Sequence, residues 1–441
     1  QAWRHPSNIF ALLGPRAPDD EVAGDEDAAR RRNCAWEPAV PCSHYQSYLS
    51  LYDADDDAQR ALYRASQGKC APSIILPGTE KGASTYVWNL IAQHPLVLPP
   101  LRGKAFKETG VYAKGGLVPP AYLDSLDAPA PALNPNPNPD PAPRSTREEL
   151  AEHRDAFARV VHAFPLIAAG EPFVTADGTV TYMMTKGAPV QLARDQPALK
   201  VIFALRDPVE RAHSEYRFLF SAYEGKGKKK SFDAILSKGV QLWWDCLKEV
   251  PAFAPPPPQE RESTIAVVLD FPDKGLHNVR LSLDLLTDIF FDKGDTYPAA
   301  CRAAVGAKKV SRGLYAPQVW HWMRRFGRDN VKVVTLEEIK DRPAPEVMNE
   351  LYDFLGLCRG SGVVTADDDG EEGLVLPQAH NRIKNRSPQQ TLPSEYEMSS
   401  GVFEALHELF APMNEMLFEL VEQEFPYGAA HFRDKYGFSI P

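Results

Sequence analysis

Two stretches constrain the fold of this 441-residue chain more than anything else in it. Each is an apolar run that ends in a short polar turn and continues as an amphipathic helix. The first is Ser73-Ile74-Ile75-Leu76, followed by "PGTEKGASTYVWNLIAQHP". The second is Val201 to Leu205, within "ALKVIFALRDPVERAHSEYRFLF" at 198–220. Apolar strands without alternation are buried on both faces, which is the situation of parallel strands under helices. The pattern goes on with a helix around Pro317 to Phe326, a strand Val331 to Leu336, a helix Pro345 to Leu355 and an amphipathic helix Ser399 to Glu422. Strands alternating with helices predict an α/β fold, a mostly parallel central sheet flanked by helices. There is no internal repeat.

The forty prolines mark what lies outside that frame. "APAPALNPNPNPDPAP" at 128–143 and "APPPPQ" at 254–259 lack donors and have fixed φ, so they read as exposed linkers. A helix with Ser145 or Thr146 as N-cap is expected from Ser145 to Ala163. The run "GKGKKK" at 225–230 and the acidic "ADDDGEEG" at 366–373 read as solvated loops, although the first could also hold a polyanion. Residues 1–70 are charge-rich and are expected to form an N-terminal extension. The main domain is then 71–441, with insertions at about 113–145 and 225–300.

A net charge of −10 argues against a general nucleic-acid binder, whose footprint is basic. No apolar run approaches the roughly 18 residues of a membrane span. A start at Gln1 leaves room for an upstream anchor or signal. The six cysteines, Cys34, Cys42, Cys70, Cys246, Cys301 and Cys358, are scattered without a C-x-x-C pair, against a zinc ribbon. They fit two or three disulfides, Cys34 with Cys42 being the most local pairing, or equally buried free thiols.

The first turn carries chemistry. Gly78 and Gly82 would let the backbone approach an anion, and Ser84 would cap a helix starting at Thr85, whose free N–H groups attract negative charge. Lys81 is then within reach of the anion's edge. A Walker A loop places lysine after its second glycine, and here Lys81 precedes Gly82. The alternative is an ordinary capped turn between strand and helix. In the second turn, Asp207, Pro208 and Glu210 form a D-P-x-E capping box. Arg206 ends the strand, and Ser214 lies two turns along the same helix face. Both can address one phosphate; otherwise Arg206 pairs locally and Ser214 only packs.

Together the two segments resemble the sulfotransferases that use 3′-phosphoadenosine 5′-phosphosulfate (PAPS), most closely the Golgi carbohydrate branch with its heparan- and chondroitin-type enzymes. "EKGASTYVWNLIAQHP" is similar to the 5′-phosphosulfate loop, and "KVIFALRDPVERAHSEYRF" to the 3′-phosphate motif, with Arg206, Pro208, Arg211, Ser214 and Tyr216 in place. "SRGLYAPQVWHWMRRFGRDNVKVVTLEEI" and "FLGL" add further likeness. The resemblance implies a P-loop-kinase-like sulfotransferase fold with proline-rich insertions. It implies a donor, PAPS, held by Lys81, Gly82, Ala83, Ser84, Thr85, Arg206 and Ser214, with PAP as product and no metal. Lys81 would bond the bridging oxygen of the phosphosulfate. Ala83 stands where the family has glycine, and the loop is expected to keep φ negative there or to shift.

The same resemblance makes Glu108, in "FKETGVY", the general base, with Lys107 helping to neutralise the sulfonate; the competing reading is a solvated surface pair. His94 and His213 read as structural. Arg382 and Lys384, in "HNRIKNRSP", are candidates for a basic loop over the nucleotide, or a solvated charge run. The implied partner is a hydroxyl-bearing acceptor, a glycan, with no nucleic acid and with membrane attachment only through an upstream anchor. The implied compartment is the Golgi lumen, the alternative the cytoplasm. Rival functions are sulfation of a lipid, polyketide or other small alcohol, a P-loop kinase, and a non-catalytic PAP-binding module.

Overall fold

The structure, a computed structural model, describes residues 70–113 except 95, 102, 105 and 106, then 163–165 with 167, and 173–222. It further describes 231–250, 265–291, 297–357, the pairs 365–366 and 372–373, and 398–421. All of these belong to the larger of two units, Pro38–Pro441, the other being Gln1–Glu37.

The first half runs β1 (Ile74–Gly78), α1 (Ser84–Ala92), β2 (Val97–Leu98), β3 (Val174–Asp177), α2 (Gly187–Asp195), β4 (Lys200–Leu205) and α3 (Pro208–Ala222). It is followed by α4 (Phe232–Glu249), β5 (Ala266–Phe271), β6 (Leu276–Ser282), α5 (Leu283–Phe291), α6 (Ala299–Gly306) and α7 (Lys308–Ser311). The rest is α8 (Tyr315–Phe326), β7 (Val331–Thr335), α9 (Leu336–Asp341), α10 (Ala344–Leu355), the short pair β8 (Thr365–Ala366) and β9 (Glu372–Gly373), and α11 (Ser400–Val421).

Five strands form one parallel sheet in the order β2-β3-β1-β4-β7. Ile75 sits beside Asp177 on one side and Val201 on the other, and Leu205 beside Thr335, so the carboxyl ends share one edge. After β1 the chain winds toward β2 and β3, and after β4 toward β7. The winding therefore reverses between β1 and β4, the place where open α/β sheets receive ligands. Ile74 and Ile75 of β1 and all of Val201 to Leu205 of β4 are buried, so both faces of these strands are covered, as their unbroken apolar runs require. Trp322 of α8 meets Phe203 edge-on at 6.1 Å between ring centres.

The stretch 225–300, expected as an insertion, contains regular structure. It supplies the amphipathic α4, with Trp243 and Trp244 buried, and the antiparallel hairpin β5–β6. Trp243 stacks on Phe290 of α5 at 5.5 Å, so this region extends the core. The acidic run at 366–373 is likewise not all loop, since β8 and β9 pair antiparallel at its ends. Cys246 of α4 is disulfide-bonded to Cys301 of α6, and Cys70 is also in a disulfide. The free-thiol reading therefore fails for all three described cysteines. The Cys34–Cys42 pairing, the 128–143 linker, the "GKGKKK" run and nearly all of the expected 145–163 helix lie outside the described residues.

Candidate active site

The turn after β1 has unusual backbone geometry. Lys81 and Ala83 both adopt left-handed conformations, φ 69° and 68°. For a residue with a Cβ this costs about 1–2 kcal/mol. Of the two expected outcomes at Ala83, a negative φ is not found: alanine occupies the glycine-type conformation itself. Ser84 is not the cap either. α1 begins at Ser84, and Ala83 stands at the N-cap with no side-chain oxygen to offer the leading amides. A helix start without a side-chain acceptor favours an external anion.

Gly82 has a packing reason. A Cβ there would lie 2.3 Å from the carbonyl oxygen of Ala204 in β4, so only glycine fits. A Cβ on Gly78 would meet the Met183 sulfur at 2.7 Å. The Thr79 N–H donates to the Ala204 carbonyl at 2.8 Å, and the Gly82 N–H to that of Thr79 at 3.1 Å. The first turn is thus pressed onto the end of β4, two residues from Arg206. Lys81 and Arg206 are close enough for the arginine to disfavour the lysine's charge. Burial is the larger cause and lowers the Lys81 pKa, while Glu80 and Glu215 pull it back up. The Lys81 ammonium lies 4.4 Å from the centre of the Phe218 ring, a cation–π contact.

The second turn shows the Asp207 half of the expected capping box. Asp207 accepts from the Glu210 N–H at 2.7 Å as an N-cap. Burial raises the Asp207 carboxyl to about 6. Arg206 forks onto Glu210 through Nε and Nη2, at 3.1 and 2.7 Å, and the Tyr315 hydroxyl donates to its carbonyl at 2.9 Å. The local pairing of Arg206 is therefore present. Arg206 and Glu210 are partly exposed, so solvent screens the pair. Ser214 is half-buried on the same helix, α3.

Lys107 reaches the start of α1, with Glu108 paired to it. The Lys107 ammonium is buried and donates to Ser84 Oγ at 3.1 Å and to Glu108 Oε1 at 3.4 Å. Burial lowers its pKa, with Glu108 opposing. A solvated surface pair is thus excluded for Lys107. Its stem crosses Gly178, where a Cβ would strike it at 2.7 Å. Glu108 remains partly accessible, its side chain 26% exposed.

Sequence reasoning missed what holds this pair. Asp177, at the end of β3, is fully buried and accepts hydrogen bonds from Tyr182 (2.8 Å), from Thr179 Oγ1 (2.7 Å) and from the Thr109 hydroxyl and N–H. Burial pushes its carboxyl up, and the bonds from Thr109, Thr179 and Tyr182 hold it down. Thr109 follows Glu108 directly, so Asp177 fixes the turn that presents Glu108. Lys104 was also missed. It bridges to Glu108 through the backbone and lies near enough to act on Lys81. An isolated acid after a strand and a lysine in "RGKAFKE" gave no pattern to read. His94 and His213 are structural as expected: His94 Nδ1 accepts from the Leu96 N–H and its ring meets Tyr352, while His213 packs on Phe232. Arg382 and Lys384 lie outside the described residues.

Residues 179–366 match the family model described as "Sulfotransferase domain". The match covers less than half of the chain, including Arg206, Ser214 and β7 and leaving out Lys81 and Glu108. It supports a transferase of the sulfotransferase kind, with sulfuryl transfer as the reaction class. Among solved structures, a sulfotransferase from Alicyclobacillus acidocaldarius aligns with 80% of this chain and 96% of its own, at 17% identity and a TM-score of 0.39. No curated protein sequence matches the chain significantly.

Proposed function

We propose that the chain transfers a sulfuryl group from PAPS to a hydroxyl of an acceptor, and that the acceptor is a carbohydrate. The observation carrying this reading is the contact of the first turn with the end of β4. It puts Lys81, the uncapped start of α1 and Arg206 at the sheet's switch point, with Lys107 and Glu108 alongside. Two anion-binding features on adjacent strand ends suit a ligand with two separated phosphate groups better than one with a single phosphate. Residues 82–85 and Lys81 would hold the 5′-phosphosulfate, and Arg206 with Ser214 the 3′-phosphate.

In the transfer, the acceptor oxygen forms a bond to sulfur as the bond from sulfur to the bridging phosphate oxygen breaks. Glu108 takes the hydroxyl proton, and Lys81 stabilises charge growing on the departing phosphate, an interaction stronger in the transition state than before it. Lys107 neutralises the sulfonate from its buried position. The carbohydrate acceptor rests on the likeness of "FKETGVY" and "SRGLYAPQVW" to the carbohydrate branch. The disulfides at Cys70 and Cys246–Cys301 favour an oxidising lumen such as the Golgi over the cytoplasm. Among the described residues no helix is long and apolar enough to cross a membrane.

Labelled PAPS offered with a panel of glycans and small alcohols tests the reading. Label on a glycan is the expected outcome. Label on lipid or small alcohols alone would replace the acceptor class, and tight PAP binding without transfer to any hydroxyl would indicate a binding module.

A further inference from the structure

Two non-glycine residues in left-handed conformations within three positions need an external hold, because such strain persists only where the surroundings over-determine it. The backbone bonds of Thr79 and Gly82 supply part of it. A side-chain contact supplies another. Glu80, beside Lys81, accepts from Arg312 Nη1 at 2.6 Å. The same nitrogen reaches Glu215 of α3 at 2.5 Å. Glu215 is 1% exposed and cannot move, because Arg211, at 2.8 Å, and Lys309 pair with the same carboxylate. Arg312 is therefore a fixed post, anchored in a buried network on the helix that Arg206 introduces.

Resting on the donor reading above, we propose that Arg312 is a positioning residue with two effects. Through Glu80 it locks the turn that carries Lys81, and it masks the Glu80 carboxylate, which would otherwise repel an anionic donor beside Lys81. It touches no reacting atom. The two effects separate by mutation. Arg312→Ala frees the turn and bares Glu80, whereas Glu80→Ala frees the turn and removes the carboxylate with it.

The test is amide hydrogen exchange at Thr79 and Gly82 in the ligand-free full chain, together with PAP titration of each variant. Exchange at these amides should rise about tenfold in both Arg312→Ala and Glu80→Ala, as expected when a local hold is lost. PAP affinity should fall roughly tenfold in Arg312→Ala, in proportion to the lost competent population and the added repulsion. It should fall less in Glu80→Ala, and the double variant should bind like Glu80→Ala. Glu80→Ala leaves the Glu215 network intact, so it decides the locking effect even if Arg312→Ala fails to fold. Unchanged exchange in Glu80→Ala overturns the lock, and Arg312→Ala binding PAP as well as Glu80→Ala overturns the mask. A wild-type chain that ignores PAP would count against the donor reading alone, since the exchange result stands without a ligand.

Discussion

The turns after β1 and β4 face the same edge of the sheet and are built by opposite means. The second is regular: Asp207 caps, Pro208 fixes the first helical φ, and Arg206 forks onto Glu210 one turn on. Its geometry is local and follows from residue types. The first is irregular. Two left-handed residues, a glycine wedged on the Ala204 carbonyl and a helix without a side-chain cap are held by β4, Arg312 and one another. On the proposed reading, one turn would bind through an arginine that first has to leave Glu210, and the other through backbone fixed in advance. A site that stabilises developing charge needs the second kind, because preorganised groups need not rearrange as the reaction proceeds.

The largest effect should come from the group beside the strained turn. Glu108→Gln is expected to lower kcat about 10²–10⁴-fold, the usual contribution of a general base. PAP affinity should be unchanged, because on this reading Glu108 acts on the acceptor hydroxyl and not on the nucleotide. Near-normal turnover on a true acceptor would remove Glu108 from the chemistry.

The regular turn makes a pH prediction. Burial holds the Asp207 carboxyl at about 6, against an ordinary 3.8. A raised acid contributes stability that is full below its unfolded value and is lost as pH rises through the folded one. Urea denaturation should therefore show wild type losing stability across this window relative to Asp207→Asn, by up to roughly 3 kcal/mol. Asparagine keeps the capping oxygen, so the helix should remain. Parallel pH profiles for the two proteins would contradict the buried-acid account.

The smallest effect tests the irregular turn. Ala83→Gly should stabilise the chain by about 0.5–1 kcal/mol, since glycine relieves the left-handed strain at some cost in unfolded-chain entropy. A rise in the urea midpoint at unchanged slope is the expected result. A fall would mean that the Ala83 methyl packs usefully despite its backbone.

The same contrast explains what could be read in advance. The strands Val201 to Leu205 and Val331 to Thr335 and the long C-terminal helix announced themselves by unbroken or periodic apolar patterns. The Asp207 cap was legible because capping chemistry is local. Ala83 was misread because a left-handed backbone at a non-glycine position is imposed by tertiary contacts that no window of sequence contains. Asp177, Lys104 and Arg312 escaped notice for a related reason: their partners, Thr109, Lys81 and Glu80, are distant in the chain or joined only through space. The hairpin β5–β6 did have a signal. In "AVVLDFPDKGLHNVRLSL" two apolar segments flank a Pro-Asp-Lys-Gly turn, with Gly275 at φ 74°, inside a stretch set aside as an insertion.

The central claim is that both turns hold a single PAPS molecule. Calorimetric titration with PAP, for wild type and Arg206→Ala, tests it most directly. The account predicts one site per chain, weakened by ~2 kcal/mol or more in Arg206→Ala for the lost charge-assisted phosphate contact. It also predicts that ATP with magnesium competes poorly. PAP affinity indifferent to Arg206, or ATP with magnesium displacing PAP, would contradict it.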